Sequence, residues 1–368
     1  MNVPFVDLKS QYQSIKQQID KAIQQVIDET AFIGGTHVKT FEKSFANAYN
    51  VKHCISCANG TDAIYIIMKM LGIGAGDEVI TTACSWISTS ETIGQTGATP
   101  VFVDIDPTYY TIDVDRIAEK ITSKTKAIIP VHLYGQMADI EAIAKLCEKH
   151  GLYLIEDCAQ SHFSKYKDIN AGNRGIAGTL SFYPGKNLGA YGDAGAIITN
   201  DDNLAEKCRM YANHGALIKH QHHIEGINSR LDGLQAAILS AKLPYIDQWT
   251  EQRIANATIY DEYLKAIPYI KTPKVREHSR HTFHLYVVLA ERRNELAAFL
   301  KQKGIETAIH YPTPLPFLPA YNYLSATKED FPIASRYQDQ ILSLPMYPEL
   351  TKEAIQYVSQ CVSEFYKQ

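Results

Sequence analysis

Apolar residues follow two different periods along the first part of the chain, and each period predicts its own kind of element. Over residues 10–29 they recur every three or four positions, which is typical of a helix with one buried face, and residues 61–71 also predict a helix. Short continuous apolar runs follow: EVITT at 78–82, PVFVDI at 100–105, KAIIPVHL at 126–133, LYLIED at 152–157 and GAIIT at 195–199. Two segments between these runs, 115–121 and 140–150, have helical spacing. This alternation predicts an α/β fold whose mostly parallel sheet has helices on both faces.

The pattern changes towards the C-terminus. A long helix is predicted from about residue 233, with an interruption near Pro244. The following segments predict strand, helix, strand and helix in turn, at 281–290, 293–304, 305–312 and 351–367. We therefore expect two domains. The large one comprises residues 1–250 and includes an N-terminal helical arm, and the smaller α+β domain comprises residues 251–368.

Composition and charge narrow the class of protein. The net charge of −4 is spread along the chain without a basic stripe, so we expect no nucleic-acid partner. No apolar run approaches the roughly 20 residues of a membrane span, and the N-terminus lacks an apolar signal core, so we expect no membrane association and a cytoplasmic location. Seven scattered cysteines predict reduced thiols.

Two short motifs resemble metal sites but lack the further ligands that such a site needs. Cys54 and Cys57 form one C-x-x-C motif without a second pair at zinc-finger spacing. His220, His222 and His223 are adjacent rather than helically spaced, and no carboxylate or cysteine pattern accompanies them. We therefore expect no metal.

The stretch SFYPGKNLGAYGDAGA, residues 181–196, surrounds a single lysine with glycines and aromatic residues. Gly185 and Lys186 do not form a phosphate-binding loop, because Leu180 and Asn187 occupy the positions that need Gly and Ser or Thr. The glycines at 72–76 follow a helix and precede a strand, the reverse of a dinucleotide-binding turn. A second use of a lysine is a Schiff base with a carbonyl, as in pyridoxal-phosphate enzymes.

The other parts of a pyridoxal-phosphate site have candidates in the chain. Asp157 ends a predicted strand and is placed to hold a pyridine nitrogen. Asn59-Gly60-Thr61 directly precedes a predicted helix, where backbone N–H groups bind phosphate. Trp86 follows a predicted strand and could stack on the ring. Each candidate also has an ordinary alternative, as an N-cap, a strand end or a core residue, so their order along the chain is the stronger signal.

That order is carried by the motifs ANGTDA, EDCAQSH, SFYPGKNLGAYGDAGA, HHIEGINSRLDGLQAAIL and HYPTPL. Together they resemble the nucleotide-sugar aminotransferases of the DegT/StrS type, which have the fold-type I architecture of pyridoxal-phosphate enzymes. The resemblance extends from VPFVDLKSQY to SLPMYPEL. It implies pyridoxal 5′-phosphate, with pyridoxamine 5′-phosphate as its aminated form, and a homodimer with shared active sites. One departure is Phe163-Ser164, where the family pattern has Gly-Ala.

The resemblance also implies a role for individual residues. Lys186 would form the Schiff base and then move the proton between cofactor and substrate carbons. Contacts with the cofactor would come from Gly60, Thr61 and Ser181 at the phosphate, Asp157 at the ring nitrogen, Gln160 at the ring hydroxyl, Trp86 on the ring face, and Asn228 at the phosphate of the neighbouring subunit. Contacts with the substrate or amino donor would come from His162, Tyr183, Arg230, His310 and Tyr311.

The implied reaction is transamination between L-glutamate, which becomes 2-oxoglutarate, and a nucleotide-linked keto sugar. The motifs favour a dTDP-3-keto-6-deoxyhexose, whose 3-amino product would enter a surface polysaccharide or glycan such as a lipopolysaccharide O-antigen. A UDP-2-acetamido-3-keto-glucuronate is the alternative. C4 amination and a sugar 3-dehydratase are further alternatives, although the dehydratases carry His in place of Lys186. A regulator on the same fold would be expected to lose Asp157 or Lys186.

Overall fold

The computed structural model describes residues 1–367. Its α-helices are α1 Leu8–Ser14, α2 Lys16–Asp28, α3 Gly35–Tyr49, α4 Gly60–Met70, α5 Ser88–Thr96, α6 Ile140–His150, α7 Asp202–Ala212, α8 Gly233–Lys242, α9 Ile246–Leu264, α10 Arg293–Gln302, α11 Pro332–Tyr337 and α12 Lys352–Phe365. In this part of the chain, no helix is both long enough and apolar enough to cross a lipid bilayer.

The strands form one large sheet and three small ones. They are β1 His53–Cys57, β2 Glu78–Thr82, β3 Thr99–Val103, β4 Thr125–Ile129, β5 Tyr153–Asp157, β6 Lys165–Tyr166, β7 Ile169–Asn170, β8 Ala177–Ser181, β9 Gly195–Thr199, β10 Ala216–Ile218, β11 Gln221–His222, β12 Ile270–Lys271, β13 Ser279–Arg280, β14 Tyr286–Ala290 and β15 Ile341–Leu344. The large sheet has the order β1-β9-β8-β5-β4-β2-β3. Neighbours from β3 to β8 are parallel, whereas β9 is antiparallel to both β8 and β1.

The large sheet is buried on both faces, as its continuous apolar strands predict. Successive side chains of a strand point to opposite faces. In β4, Ile128 joins the apolar cluster that includes Phe41 and Phe45 of α3, while Ala127 and Ile129 join the cluster of α4 and α7 on the other side. The predicted fold class, a mostly parallel sheet with helices on both faces, is confirmed.

Some sequence-based predictions of elements are wrong or stay open. Residues 305–312 do not form a strand, because they make only isolated bridges, and β15 takes the place beside β14. The segment 115–121 forms two short 3₁₀ turns instead of an α-helix. The predicted domain boundary between residues 250 and 251 falls inside α9 and stays a prediction.

Candidate active site

A cavity of about 480 Å³ opens beyond the carboxyl ends of β2, β5 and β8. In an open α/β sheet, this is the edge at which ligands bind. Ten of the thirteen predicted site residues line it: Gly60, Thr61, Trp86, Asp157, Gln160, Ser181, Tyr183, Lys186, His310 and Tyr311. The remaining three, His162, Asn228 and Arg230, lie outside the lining.

Lys186 lies on a short closed loop between β8 and β9. The loop is closed by two backbone hydrogen bonds, from Lys186 N–H to Tyr183 O at 2.8 Å and from Ala190 N–H to Phe182 O at 2.8 Å. Gly189 permits this closure, because a Cβ there would lie 2.3 Å from the carbonyl oxygen of Pro184. Burial lowers the pKa of the Lys186 amine to about 8, although the charge of Asp157 acts in the opposite direction.

Asp157 is the last residue of β5, and its carboxylate is almost completely buried. Its Oδ2 accepts a hydrogen bond of 2.7 Å from the hydroxyl of Thr89, and its Oδ1 accepts one of 3.0 Å from the N–H of Ala159. Two donors therefore fix the carboxylate at the wall of the cavity.

The N-terminus of α4 forms another wall. Asn59 caps this helix by accepting the N–H of Asp62 at 2.8 Å, and the N–H groups of Gly60 and Thr61 have no partner within the helix. A Cβ on Gly60 would lie 2.8 Å from the Cβ of Ser181, so only glycine allows this approach of α4 to β8. Free N–H groups at a helix N-terminus, beside the hydroxyls of Thr61 and Ser181, suit a phosphate.

Aromatic side chains border the mouth of the cavity. Trp86 is 59% exposed, which excludes a core role for it, and its ring centroid lies 5.8 Å from that of Tyr311. Gln160 donates to the hydroxyl of Tyr311 at 2.9 Å and accepts the N–H of Tyr134 at 2.8 Å. Tyr183 is equally exposed, at 59%. The cavity thus has flat side chains at its entrance and a fixed amide within.

The two predicted histidines differ in their surroundings. His310 lines the cavity, and its Nδ1 lies 2.8 Å from the hydroxyl oxygen of Ser343. Burial and the charge of Lys186 lower the pKa of His310 to about 4. His162 is completely buried beside Phe182, with a ring-centroid distance of 5.6 Å. Burial lowers its pKa to about 3. Both rings are therefore neutral at neutral pH, and His162 lies behind the loop of Lys186.

Asn228 and Arg230 are exposed and belong to a different part of the surface. Arg230 borders a separate cavity of about 270 Å³ together with Gly34 and Arg209. Ser229, between them, is buried; its hydroxyl donates to Asp62 at 2.6 Å and accepts the N–H of Ala58 at 3.1 Å. This anchors the segment 228–230 to the first turn of α4 without bringing Asn228 or Arg230 into the cavity of the same chain.

Within residues 1–367, one group of three potential metal ligands comes together: His132, Glu156 and Cys158. The Glu156 carboxylate already accepts the Nε2–H of His132 at 2.8 Å and backbone N–H groups from the segment 172–175. His132 Nδ1 accepts the N–H of Ala138 at 3.1 Å. These bonds satisfy the pair structurally. The histidines at 220–223 are not part of this group.

The hydroxyls of Thr89 and Ser88 are functional candidates that the sequence analysis missed. Thr89 holds Asp157, and the Ser88 hydroxyl lies 2.7 Å from that of Thr61. Both come from the start of α5, directly after Trp86. The available signal was the run SWISTSET, residues 85–92, because so many hydroxyls after a predicted strand are placed at the ligand-binding edge of the sheet.

The residues around the cavity fit pyridoxal 5′-phosphate. The cofactor needs an amine for its aldehyde, an acid for its ring nitrogen and a cradle for its phosphate. Lys186, Asp157 and the N-terminus of α4 provide these groups around one cavity. The absence of a side chain at Gly60 allows the N-terminus of α4 to approach Ser181.

Known proteins resemble this chain along nearly its whole length. A pleiotropic regulatory protein from Geobacillus stearothermophilus is 49% identical over 100% of this chain and 99% of its own. A UDP-2-acetamido-2-deoxy-3-oxo-D-glucuronate aminotransferase from Pseudomonas aeruginosa is 43% identical over 97% of this chain and 98% of its own. A dTDP-3-amino-3,6-dideoxy-alpha-D-galactopyranose transaminase from Aneurinibacillus thermoaerophilus is 42% identical over 99% of both chains.

Solved structures agree with this similarity. DesV from S. venezuelae, in complex with a ketimine intermediate, has a TM-score of 0.97 and 38% identity, over 100% of this chain and 99% of that one. NtdA from Bacillus subtilis, with bound cofactor PMP, has a TM-score of 0.92 and 31% identity, over 100% of this chain and 86% of that one. The model of the DegT/DnrJ/EryC1/StrS aminotransferase family matches residues 13–363. This chain therefore belongs to that family and is a pyridoxal-phosphate-dependent aminotransferase.

Proposed function

We propose that this enzyme transfers the amino group of L-glutamate to C3 of a nucleotide-linked 3-keto sugar and releases 2-oxoglutarate. The observation that carries the chemistry is the placement of Lys186, Asp157 and the N-terminus of α4 around one cavity. The substrate class is supported by the relatives from P. aeruginosa and A. thermoaerophilus, whose names place an oxo or amino group at C3 of a nucleotide sugar.

Each residue at the cavity has a proposed task. When bound, the cofactor supplies the aldehyde that takes up the amino group and the ring that accepts electrons. The neutral amine of Lys186 removes and returns the proton at the reacting carbon, which its lowered pKa favours. The carboxylate of Asp157, oriented by Thr89, keeps the ring nitrogen protonated. Gly60, Thr61 and Ser181 bind the phosphate.

The other side chains of the cavity are proposed to hold the ring and the substrates. Trp86 would cover the ring face, and the amide of Gln160, which Tyr311 and Tyr134 fix, would contact the ring hydroxyl. Tyr183 and His310 line the cavity and would contact the sugar or the donor. For His162 we propose support of the loop instead of substrate contact, because it is completely buried beside Phe182.

For the nucleotide sugar we propose a dTDP-3-keto-6-deoxyhexose, with a UDP-2-acetamido-3-keto-glucuronate as the second candidate. The two corresponding relatives are 42% and 43% identical, so overall similarity does not separate the candidates. The 3-amino product would serve a surface glycan such as an O-antigen.

We further propose a homodimer in which Asn228 and Arg230 enter the partner's cavity. Apart from His310, Lys186 is the one basic residue that lines the cavity of the described chain. Glutamate and the nucleotide, by contrast, bring several negative charges that basic side chains would bind. Asn228 and Arg230 are exposed in the single chain. The preceding hairpin β10–β11 exposes Leu217 by 43% and Ile218 by 60%, which is typical of a surface that another chain covers.

A cytoplasmic location belongs to the same proposal. All seven cysteines are buried and unpaired, which suits a reducing compartment.

A regulator without catalytic activity is the rival from another class, and the name of the relative from G. stearothermophilus makes it worth testing. A protein that only binds a ligand does not need a lysine with a lowered pKa opposite a buried, doubly hydrogen-bonded aspartate. Both Lys186 and Asp157 are present here and line the same cavity.

The deciding experiment incubates the purified enzyme with pyridoxal 5′-phosphate, glutamate and a panel of dTDP- and UDP-linked 3-keto and 4-keto sugars. Mass spectrometry then follows 2-oxoglutarate and the amino sugar. We expect one 3-keto substrate to be aminated and Lys186→Ala to lose this activity. If no keto sugar of the panel is aminated while glutamate is still converted to 2-oxoglutarate, the proposed substrate class is wrong and the enzyme is another transaminase.

A further inference from the structure

Two polar side chains of helix α8 are hydrogen-bonded to the loop that carries Lys186. Lys242 donates from Nζ to the carbonyl oxygen of Gly189 at 2.7 Å. Gln235 accepts the N–H of Tyr191 at 2.8 Å through Oε1. The two side chains are seven positions apart, about two helical turns, and therefore lie on the same face of α8. Helix α8 thus holds two neighbouring points of the loop, three and five residues after Lys186.

Lys242 is an unusual residue to find in such a place. It is completely buried, and its amine bonds to a neutral carbonyl rather than to a carboxylate. It also lies 4.2 Å from the ring centroid of Tyr191, so the charged amine faces the ring and a carbonyl of the same loop. Burial lowers the pKa of Lys242 to about 8, while the charge of Glu349 acts in the opposite direction. Burying an amine costs free energy, and the bond to the carbonyl of Gly189 offsets that cost only while the loop keeps this position.

The contacts of Lys242 and Gln235 complete the fixation of the loop. Its own hydrogen bonds, from Lys186 to Tyr183 and from Ala190 to Phe182, fix its width but not its position against the rest of the protein. Asn187 holds the loop on one side, because its Nδ2–H donates to the carbonyl oxygen of Thr282 at 3.0 Å. The bonds from α8 hold the part of the loop that follows. Because α8 packs on α2 and α3, the loop is held against this layer of helices.

We propose that Gln235 and Lys242 are positioning residues, which hold the loop so that the amine of Lys186 stays at its buried place in the cavity. Neither side chain lines the cavity, so both act through the backbone of the loop. This inference rests on the proposed role of Lys186 as the residue that moves the proton.

The test uses the variants Gln235→Met and Lys242→Met, with Lys145→Met, an exposed lysine on α6, as the matched control. In the full-length protein freed of cofactor, competitive amine labelling over a pH series, read by peptide mass spectrometry, gives the pKa of Lys186. A loosened loop hydrates the amine, so we expect both variants to move this pKa upwards from about 8 by roughly one unit or more. Lys145→Met should not move it. Gln235→Met removes no charge, so an upward shift there cannot come from a lost positive neighbour.

The loaded enzyme gives the second measurement. We expect kcat to fall on the order of 10- to 100-fold in both variants, with a smaller change in KM for glutamate, because a small misplacement of the proton-moving group affects the chemical step most. The double variant should lose less than the product of the two single losses, since both bonds hold one loop.

The outcomes separate this inference from its premise. If Gln235→Met and Lys242→Met lower only the melting temperature, while the pKa of Lys186 and kcat stay at the wild-type values, the residues are merely structural and the inference is overturned. If Lys242→Met does not fold, Gln235→Met decides alone. If the premise about Lys186 is wrong, borohydride will not link the cofactor to Lys186 in the wild-type enzyme. The labelling experiment does not depend on that link.

Discussion

At the scale of single residues, the central feature is an amine whose pKa is far below its ordinary value. Burial lowers the pKa of Lys186 to about 8, and the negative charge of Asp157 limits this decrease. A base with a lowered pKa is neutral above that pKa and charged below it. Near pH 8 about half of the Lys186 amines are therefore nucleophilic, whereas an ordinary lysine, with a pKa of about 10.4, would be almost completely charged.

This sign leads to a pH prediction for the protein freed of cofactor. Its rate of pyridoxal 5′-phosphate uptake, followed by absorbance, should rise with pH through about 8 and then level off, because only the neutral amine attacks an aldehyde. Lys186→Arg should show no such uptake at any pH. A wild-type rate that keeps rising towards pH 10 would mean that the amine is not buried as described.

At the scale of elements, the proposed phosphate cradle depends on how closely α4 approaches β8. The approach is possible because Gly60 has no side chain. The glycine costs helix stability, up to about 1 kcal/mol relative to alanine in a helix interior. Its position therefore favours cofactor binding at the expense of the helix.

Replacing Gly60 should separate its effect on cofactor binding from its effect on helix stability. We expect Gly60→Ala to raise the dissociation constant for pyridoxal 5′-phosphate by about tenfold, which corresponds to about 1.4 kcal/mol, because the new Cβ meets Ser181. Gly94→Ala on α5 is the matched control, since no atom lies within 4 Å of its Cβ. Titration of the apo-protein with cofactor measures both. Equal affinities for Gly60→Ala and the wild type would contradict the proposed cradle.

Elements also show how far the sequence alone could reach. The runs at 78–82 and 195–199 became β2 and β9 without change, because a strand buried on both faces must be continuously apolar. The strand predicted at 126–133 ends at Ile129, where Pro130 follows. β8 was missed, since AGTLS is small and polar and its burial comes from neighbours distant in sequence.

The candidate site was predictable to a similar degree. The sequence singles out Lys186 and Asp157, which both line the cavity, because their sequence surroundings are distinctive. Thr89 was missed, because the run SWISTSET indicates hydroxyls near the ligand-binding edge but not which of them faces a carboxylate 68 positions away. The task of Lys242 was equally hidden, since it depends on a carbonyl group of a separate loop.

At the scale of the whole molecule, two of the predicted site residues lie outside the cavity of their own chain. Asn228 and Arg230 are anchored through Ser229 to α4 and yet point to no cavity lined by their own chain's Lys186. A two-fold dimer would supply each cavity with the partner's pair, as closed symmetric assemblies do.

Mixing two inactive variants tests this sharing. Asn228→Asp and Lys186→Ala should each be inactive, and after joint unfolding and refolding they should regain about a quarter of wild-type activity. The reason is that half of the dimers are mixed and each has one intact site. Each variant refolded with itself is the control. No recovery, although mixed dimers are detected by native mass spectrometry, would show that Asn228 acts within its own chain or not at all.

The central claim is that Lys186 is the residue that engages the cofactor. The most direct measurement loads the wild-type enzyme with pyridoxal 5′-phosphate, reduces it with borohydride and maps the peptides by mass spectrometry. We expect the cofactor mass on the peptide that contains Lys186, and none on any peptide of Lys186→Ala. Cofactor on another lysine, such as the buried Lys242, or on no lysine at all, would contradict it.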